Sequence, residues 1–142
     1  IIFKENYKKN SEIINDIKKV NNKIKIFYSE VKILNLKKIN KNKKYLIFSG
    51  IGNSDSFKNT LLKNKINVVE EMIFPDHYNY KKQDIVRIKK HAKTVGAKIL
   101  TTEKDFVKIS KIDRKGINLI KINLNIKNKK NLINFLKSKI YE

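Results

Sequence analysis

Tyr45-Leu46-Ile47-Phe48-Ser49-Gly50-Ile51-Gly52-Asn53 is the stretch on which the fold turns. It reads as a short buried strand broken by a two-glycine turn, and a helix is predicted over about 54–64 with Phe57, Leu61 and Leu62 on one face. The same unit then recurs. Ile66 to Ile73 is the next strand. After the loop Phe74 to Tyr80, residues Gln83 to Val95 place Ile85, Ile88, Ala92 and Val95 at three- and four-residue spacing and end at Gly96, where a helix stops. Ala97 to Thr101 is a third strand, Glu103 to Ile109 a short helix and Ile117 to Ile122 a fourth strand. Lys129 to Ile140 is a last amphipathic helix carrying Leu132, Phe135 and Leu136. Strands alternating with helices predict an α/β fold: a mostly parallel, Rossmann-like sheet with flanking helices and its functional loops at the carboxyl ends of the strands.

Upstream the pattern is less regular. Ile1 to Phe3 looks like a strand end, and Ser11 to Val20 sets Ile13, Ile14 and Ile17 on one helical stripe, with Ser11 as a candidate N-cap. From Lys23 to Leu36 the chain is expected to be extended, as one long strand or a two-stranded ribbon acting as a linker: Ile24, Ile26 and Tyr28 alternate, then Val31 and Ile33. Lys37 to Lys44 reads as a solvated loop and a domain boundary. The expected partition is a remnant of another domain at 1–22, an extended linker at 23–43 and a C-terminal α/β domain at 44–142. The chain opens on Ile1-Ile2-Phe3 without a methionine and is read as a fragment of something longer.

The chain has 142 residues, enough for one domain with a core of its own. Its net charge of +21 would ordinarily indicate nucleic acid or an anionic membrane surface. Nearly all of the excess is lysine, however, and Arg87 and Arg114 are the only arginines, although arginine is the residue suited to bidentate phosphate and base recognition. Lys, Asn and Ile make up more than half of the chain, the mixture an AT-rich genome produces, so the charge is mostly background. No nucleic-acid partner is assigned; a small basic module for nucleic acid or anionic membrane is the alternative reading. The lack of cysteine excludes disulfides and thiolate metal sites, and no cluster of His and acidic residues suggests a metal. Apolar runs such as Val68-Val69 or Tyr45 to Phe48 fall far short of a bilayer span, and nothing resembles a signal peptide.

Three loops follow strands and should meet at one sheet edge. Phe74-Pro75-Asp76-His77-Tyr78-Asn79-Tyr80 holds the only proline and one of two histidines. Its Asp76-His77 pair has the parts for proton transfer or for orienting a base; equally, Asp76 can cap the turn while Tyr78 and Tyr80 pack on the sheet edge. In the turn Gly50, Gly52 and Asn53, the glycines allow close backbone approach. The third glycine of a dinucleotide fingerprint is missing, and no Gly-x-x-x-x-Gly-Lys-Ser/Thr loop occurs anywhere in the chain. In Thr101, Thr102, Glu103, Lys104 and Asp105, hydroxyls at a strand end run into a charged helix start, a pattern that capping by Thr102 with Asp105 in the first turn would also produce. His91 lies among lysines and reads as surface.

Taken in order, Phe48-Ser49-Gly50-Ile51-Gly52-Asn53, Phe74 to Tyr80, and Gly96-Ala97 leading to Leu100 through Lys108 closely resemble the C-terminal part of the tetraacyldisaccharide 4′-kinase (lipid A 4′-kinase) family of Gram-negative bacteria. The resemblance covers about Tyr45 to Ile109. It implies a fragment of a larger P-loop kinase that moves the ATP γ-phosphate to the 4′-hydroxyl of tetraacyldisaccharide 1-phosphate, giving lipid IVA, at the cytoplasmic face of the inner membrane in peripheral contact with anionic lipid. By that resemblance 1–22 belongs to the N-terminal kinase domain, and ATP and Mg2+ are bound by the N-terminal part, so this piece alone is expected to be inactive. His77 carries over as the histidine that pairs with the catalytic base, and Asp76 as the residue that orients it; Gly50, Gly52, Asn53 and Thr101 to Asp105 carry over as cleft lining or scaffold. Relative to the family pattern, Ser54 stands for a common proline, Lys81 for a Ser or Thr cap, and Tyr78 for a second histidine.

Overall fold

A computed structural model describes residues 2–4 and 7–140. The strand Lys44–Ser49 (β3) organises residues 33–121, which form one compact unit. Tyr45 to Ser49 are all buried, and the side chains of successive residues go to opposite cores. Leu46 and Phe48 pack with Phe74, Ile85, Ile88 and Ala92, whereas Tyr45 and Ile47 pack with Phe57, Leu61 and Ile66. That is why this strand reads as a continuous apolar run: it has a helix over each face. The helix α2 (Ser54–Lys63) covers one face with Phe57 and Leu61, and α3 (Lys82–Thr94) covers the other with Ile85, Ile88 and Ala92.

The sheet of this unit has the order β4-β3-β5-β6, where β4 is Asn67–Ile73, β5 is Lys98–Thr102 and β6 is Ile117–Ile120. Every pairing is parallel, as the alternation of strands and helices requires. Ser49 pairs with Ile73 and Phe48 with Thr101, so the carboxyl ends of β3, β4 and β5 are level. Because β4 lies on one side of β3 and β5 on the other, the strand order reverses at β3, and the loops leaving these three strands open beside that switch point. A six-residue helix, α4 (Glu103–Lys108), follows β5 directly.

Residues 1–32 and 122–142 form the other unit. Within it β1 (Ile2–Lys4), β2 (Phe27–Ile33) and β7 (Ile122–Ile126) make a sheet of order β1-β2-β7, with β1 and β2 parallel. Its helices are α1 (Tyr7–Val20) and α5 (Lys129–Ile140), and Phe135 of α5 packs on Phe27 with ring centres 5.7 Å apart. A cleft of about 340 Å³ lined by Ile14, Lys18, Ile24, Ile26 and Tyr28 lies within this unit and contains none of the candidate site residues.

Several sequence expectations shift. The run 117–122 is two strands in two sheets, divided at Lys121; the adjacent apolar pair Leu119-Ile120 shifts the phase of the alternation just before the change, but period alone does not show that a chain changes sheets. Helix α1 starts four residues before Ser11, which is therefore inside the helix and not its cap. The extended stretch begins at Phe27, and Leu36 to Lys38 form a 3-10 turn whose neighbour Ile39 is buried. Ile1, placed at a strand end by its sequence, lies outside the described residues. The terminal strand and helix, grouped by sequence with 44–142, cluster with the N-terminal residues.

Candidate functional site

The loop after β3 is packed tightly at its first glycine. A Cβ on Gly50 would sit 3.0 Å from the Pro75 carbonyl oxygen, 3.1 Å from Tyr78 Cβ and 3.1 Å from the Tyr80 hydroxyl. One on Gly52 would lie 3.2 Å from Asp76 Oδ2. The glycine turn is thus packed directly against the Phe74 to Tyr80 loop. Asn53 caps α2, its side chain accepting the Ser56 N–H at 2.8 Å, which fixes the helix start even though Ser54 is no proline.

The loop after β4 is tied at its base and strained at its tip. The Phe74 N–H donates to the Ser49 carbonyl at 2.9 Å, and the Tyr78 N–H closes a turn on the Pro75 carbonyl at 3.2 Å. Within that turn His77 has φ of 59°, the left-handed region that costs most side chains energy and in which His is enriched. Such strain persists only where surrounding structure imposes it, and it recurs at functional sites. The imposing structure is aromatic: Phe74 and Tyr78 lie 4.9 Å apart, Phe74 and Tyr80 5.1 Å, and Phe48 and Tyr80 5.3 Å, all between ring centres. Arg87 stands over Phe74 at 5.7 Å. Asp84 fastens the loop to α3, accepting the Tyr78 hydroxyl at 3.0 Å and the Lys81 N–H at 2.9 Å. Asp84 thereby supplies the cap that a lysine at 81 cannot.

The result is an imidazole held out in water beside a carboxylate. The His77 side chain is 75% exposed, and its Nε2 lies 3.7 Å from Asp76 Oδ2, an ion-pair distance and too long for a hydrogen bond. Asp76 instead accepts the backbone N–H of His77 on Oδ1 at 2.9 Å. Asp76 therefore fixes the peptide of His77 and leaves the ring free to engage something else.

The loop after β5 is a clamp. Thr101 is fully buried and donates its hydroxyl to the Phe48 carbonyl at 2.8 Å, strapping β5 to β3. Thr102 caps α4, accepting the Asp105 N–H at 3.0 Å while donating its hydroxyl to Asp105 Oδ2 at 2.6 Å. Asp105 has no exposed surface, and its counter-charge is Lys108 at 3.5 Å. Glu103 is exposed and pairs with Lys121 at 3.5 Å, and Lys104 reaches Asp76 Oδ1 at 3.8 Å. Of the residues singled out by sequence, Gly50, Gly52, Asp76, His77 and Lys104 meet in one place, whereas Asn53, Thr101, Thr102 and Asp105 hold its walls.

Tyr80 is the member that sequence reasoning undervalued. Its hydroxyl is buried under Gly50 and makes no hydrogen bond of good geometry, although Asp105 is near enough for its charge to be felt. Burial, and after it the charge of Asp105, push the phenol far above the ordinary tyrosine range, so it stays neutral. Only its unusual loop composition hinted at this; nothing local to Tyr80 shows that its ring turns inward.

A family model described as tetraacyldisaccharide-1-P 4′-kinase matches residues 1–141. The tetraacyldisaccharide 4′-kinase of Pelagibacter ubique (strain HTCC1062) is 39% identical over 120 residues, 84% of this chain and 38% of that protein. The one of Rickettsia bellii (strain OSU 85-389) is 51% identical over 71 residues, 50% of this chain and 22% of that protein. A crystal structure of LpxK from Aquifex aeolicus in complex with ATP aligns over 85% of this chain and 40% of that one, at 20% identity and a TM-score of 0.49. The chain spans less than half the length of the curated relatives it matches.

Proposed function

The chain belongs to the tetraacyldisaccharide-1-P 4′-kinase family, and from that we propose that it serves phosphoryl transfer from ATP to the 4′-hydroxyl of a tetraacyldisaccharide 1-phosphate, contributing the acceptor-side wall and the histidine. Phosphoryl transfer needs three things: held phosphates, neutralised charge, and a group that receives or guides the hydroxyl proton. This chain offers the third. The observation that carries the reading is His77 itself, an exposed imidazole on a strained backbone at the carboxyl edge of a parallel sheet, with Asp76 fixing its peptide. Its proposed role is to pair with the base that takes the proton of the attacking hydroxyl.

Neither ATP nor Mg2+ is assigned to residues of this chain. Among the described residues no group of three His, Asp or Glu side chains could hold a metal ion, and the chain has no Gly-x-x-x-x-Gly-Lys-Ser/Thr loop. Both would be held by the remaining part of a full-length kinase, and residues 1–142 alone would not turn over. Among the described residues no helix is long and apolar enough to cross a membrane. Peripheral contact with the anionic cytoplasmic face of the inner membrane is proposed as the route to a lipid acceptor, by the chemistry of that acceptor and not by the net charge.

The test uses the protein as its gene encodes it, including any sequence continuous with Ile1, assayed for transfer of labelled γ-phosphate to tetraacyldisaccharide 1-phosphate. His77→Ala is expected to lower kcat by about ten- to a thousandfold with the protein still folded. Unchanged kcat would remove His77 from the chemistry, and transfer by residues 1–142 alone would contradict the division of labour.

A further inference from the structure

We infer that Lys104 is a positioning residue for His77, acting through the carboxylate of Asp76; the inference rests on the role given to His77 above and adds to it a residue from a third loop. Every neighbour of that carboxylate comes from a different part of the sheet edge. Oδ1 accepts the His77 N–H at 2.9 Å and has the Lys104 ammonium at 3.8 Å, while Oδ2 lies against Gly52 and 3.7 Å from the His77 ring. Asp76 is thus the point at which the loops after β3, β4 and β5 are joined.

The backbone that carries Lys104 is firmly held. It stands in the first turn of α4, a helix secured at both ends. At its start is the reciprocal bonding of Thr102 and Asp105. At its end Arg114 donates to the carbonyls of Val107 and Ile109, both at 2.9 Å, and stands over the Phe106 ring at 5.0 Å. The neighbouring acid, Glu103, is engaged with Lys121, which leaves the Lys104 charge to Asp76. Without a cation near Oδ1, the half-exposed carboxylate keeps only the His77 N–H and its contact with Gly52, and it visits other orientations on its two soft torsions more often.

Magnitudes separate this role from a structural one. Lys104 and Asp76 are 51% and 46% exposed, and an ion pair so solvated contributes little to stability. Removing the cation therefore leaves the fold intact. What it changes is where the carboxylate points, and small misplacements of a reacting group are costly in rate.

The experiment compares Lys104→Met and Lys104→Arg in the protein as encoded, with the resonances of His77 assigned by their loss in His77→Ala. NMR follows the backbone amide and ring resonances of His77, and kinetics follow kcat and KM for ATP and tetraacyldisaccharide 1-phosphate. Lys104→Met is expected to move the His77 resonances and lower kcat by roughly tenfold, with KM changed by less than about twofold; Lys104→Arg restores both. Unmoved resonances in Lys104→Met overturn the inference, as does a loss carried by KM or an arginine variant as impaired as methionine. His77→Ala separates the two readings. If it keeps full turnover, the role of His77 falls, and the kinetic role of Lys104 falls with it; if it loses turnover while Lys104→Met does not, only Lys104 is wrong.

Discussion

Gly50→Ala is the sharpest test of how the site is built. The added methyl would meet three groups from the opposing loop at 3.0 to 3.1 Å, where carbon contacts normally begin near 3.5 Å. Two of the three, the Pro75 carbonyl and Tyr78 Cβ, are backbone or next to it, and the third is a phenol whose ring is wedged between Phe48 and Phe74. None can yield without moving the Asp76-His77 turn. Overpacking of this kind costs about 1–3 kcal/mol. Against it stands the stiffer unfolded chain that alanine provides, about 0.4–1 kcal/mol in favour of folding. With the middle of each range the net loss is about 1.3 kcal/mol, which should lower Tm by about 5–10 °C for a unit the size of residues 33–121. The control is Gly52→Ala, whose methyl meets only the end of the Asp76 side chain at 3.2 Å, a group that can rotate into solvent. Its cost should stay within about 0.5 kcal/mol. Thermal and urea melts of both variants decide the matter: equal stabilities for the two, or Gly50→Ala as stable as the parent, would refute the claim that the glycine turn is seated on the Asp76-His77 loop.

Asp105→Ala should cost about 2–4 kcal/mol in urea denaturation, because it strands Lys108, whose side chain is 18% exposed, and leaves the Thr102 hydroxyl without its acceptor; a loss below 1 kcal/mol would mean that the α4 clamp is slack. Tyr80→Phe removes a buried hydroxyl that has no well-made hydrogen bond, so at neutral pH it should change stability by less than about 1 kcal/mol; a larger loss would show Asp105 to be a true acceptor. The same variant tests the raised phenol. With the folded value above the unfolded 10.0, the folded state keeps its proton where the unfolded state gives it up, so this contribution is whole below pH 10 and is lost as pH rises beyond it. Denaturation midpoints should therefore fall less steeply between pH 9 and 11 in Tyr80→Phe than in the parent, and parallel profiles would refute the assignment. At His77, with φ of 59°, glycine should be at least as stable as histidine, whereas valine should lose about 1–2 kcal/mol by thermal melts; a valine variant as stable as the parent would show that the turn is not held in the left-handed region.

The local elements were legible in the sequence because they are set by interactions between near neighbours. The apolar run Tyr45 to Phe48, the three- and four-residue spacing of Ile85, Ile88 and Ala92, and the stop at Gly96 each reflect strand or helix geometry that a few residues define. The parallel sheet followed from the alternation of those elements, and the gathering of three loops followed from the sheet. What tertiary structure alone decided is which side chains of those loops turn inward. Asp105 and Lys104 are adjacent and both polar, yet one is sealed with Thr102 and Lys108 while the other reaches across to Asp76. Tyr78 and Tyr80 look alike in sequence, but Tyr78 finds Asp84 and Tyr80 goes beneath Gly50 with its hydroxyl unpaired. Likewise the extended run from Ile117 to Ile126 changes sheets at Lys121. In each case the local preference is the same for both outcomes. For Lys104 and Tyr80 the choice is made by Asp76 and Gly50, remote in sequence, whose positions exist only once the sheet has formed.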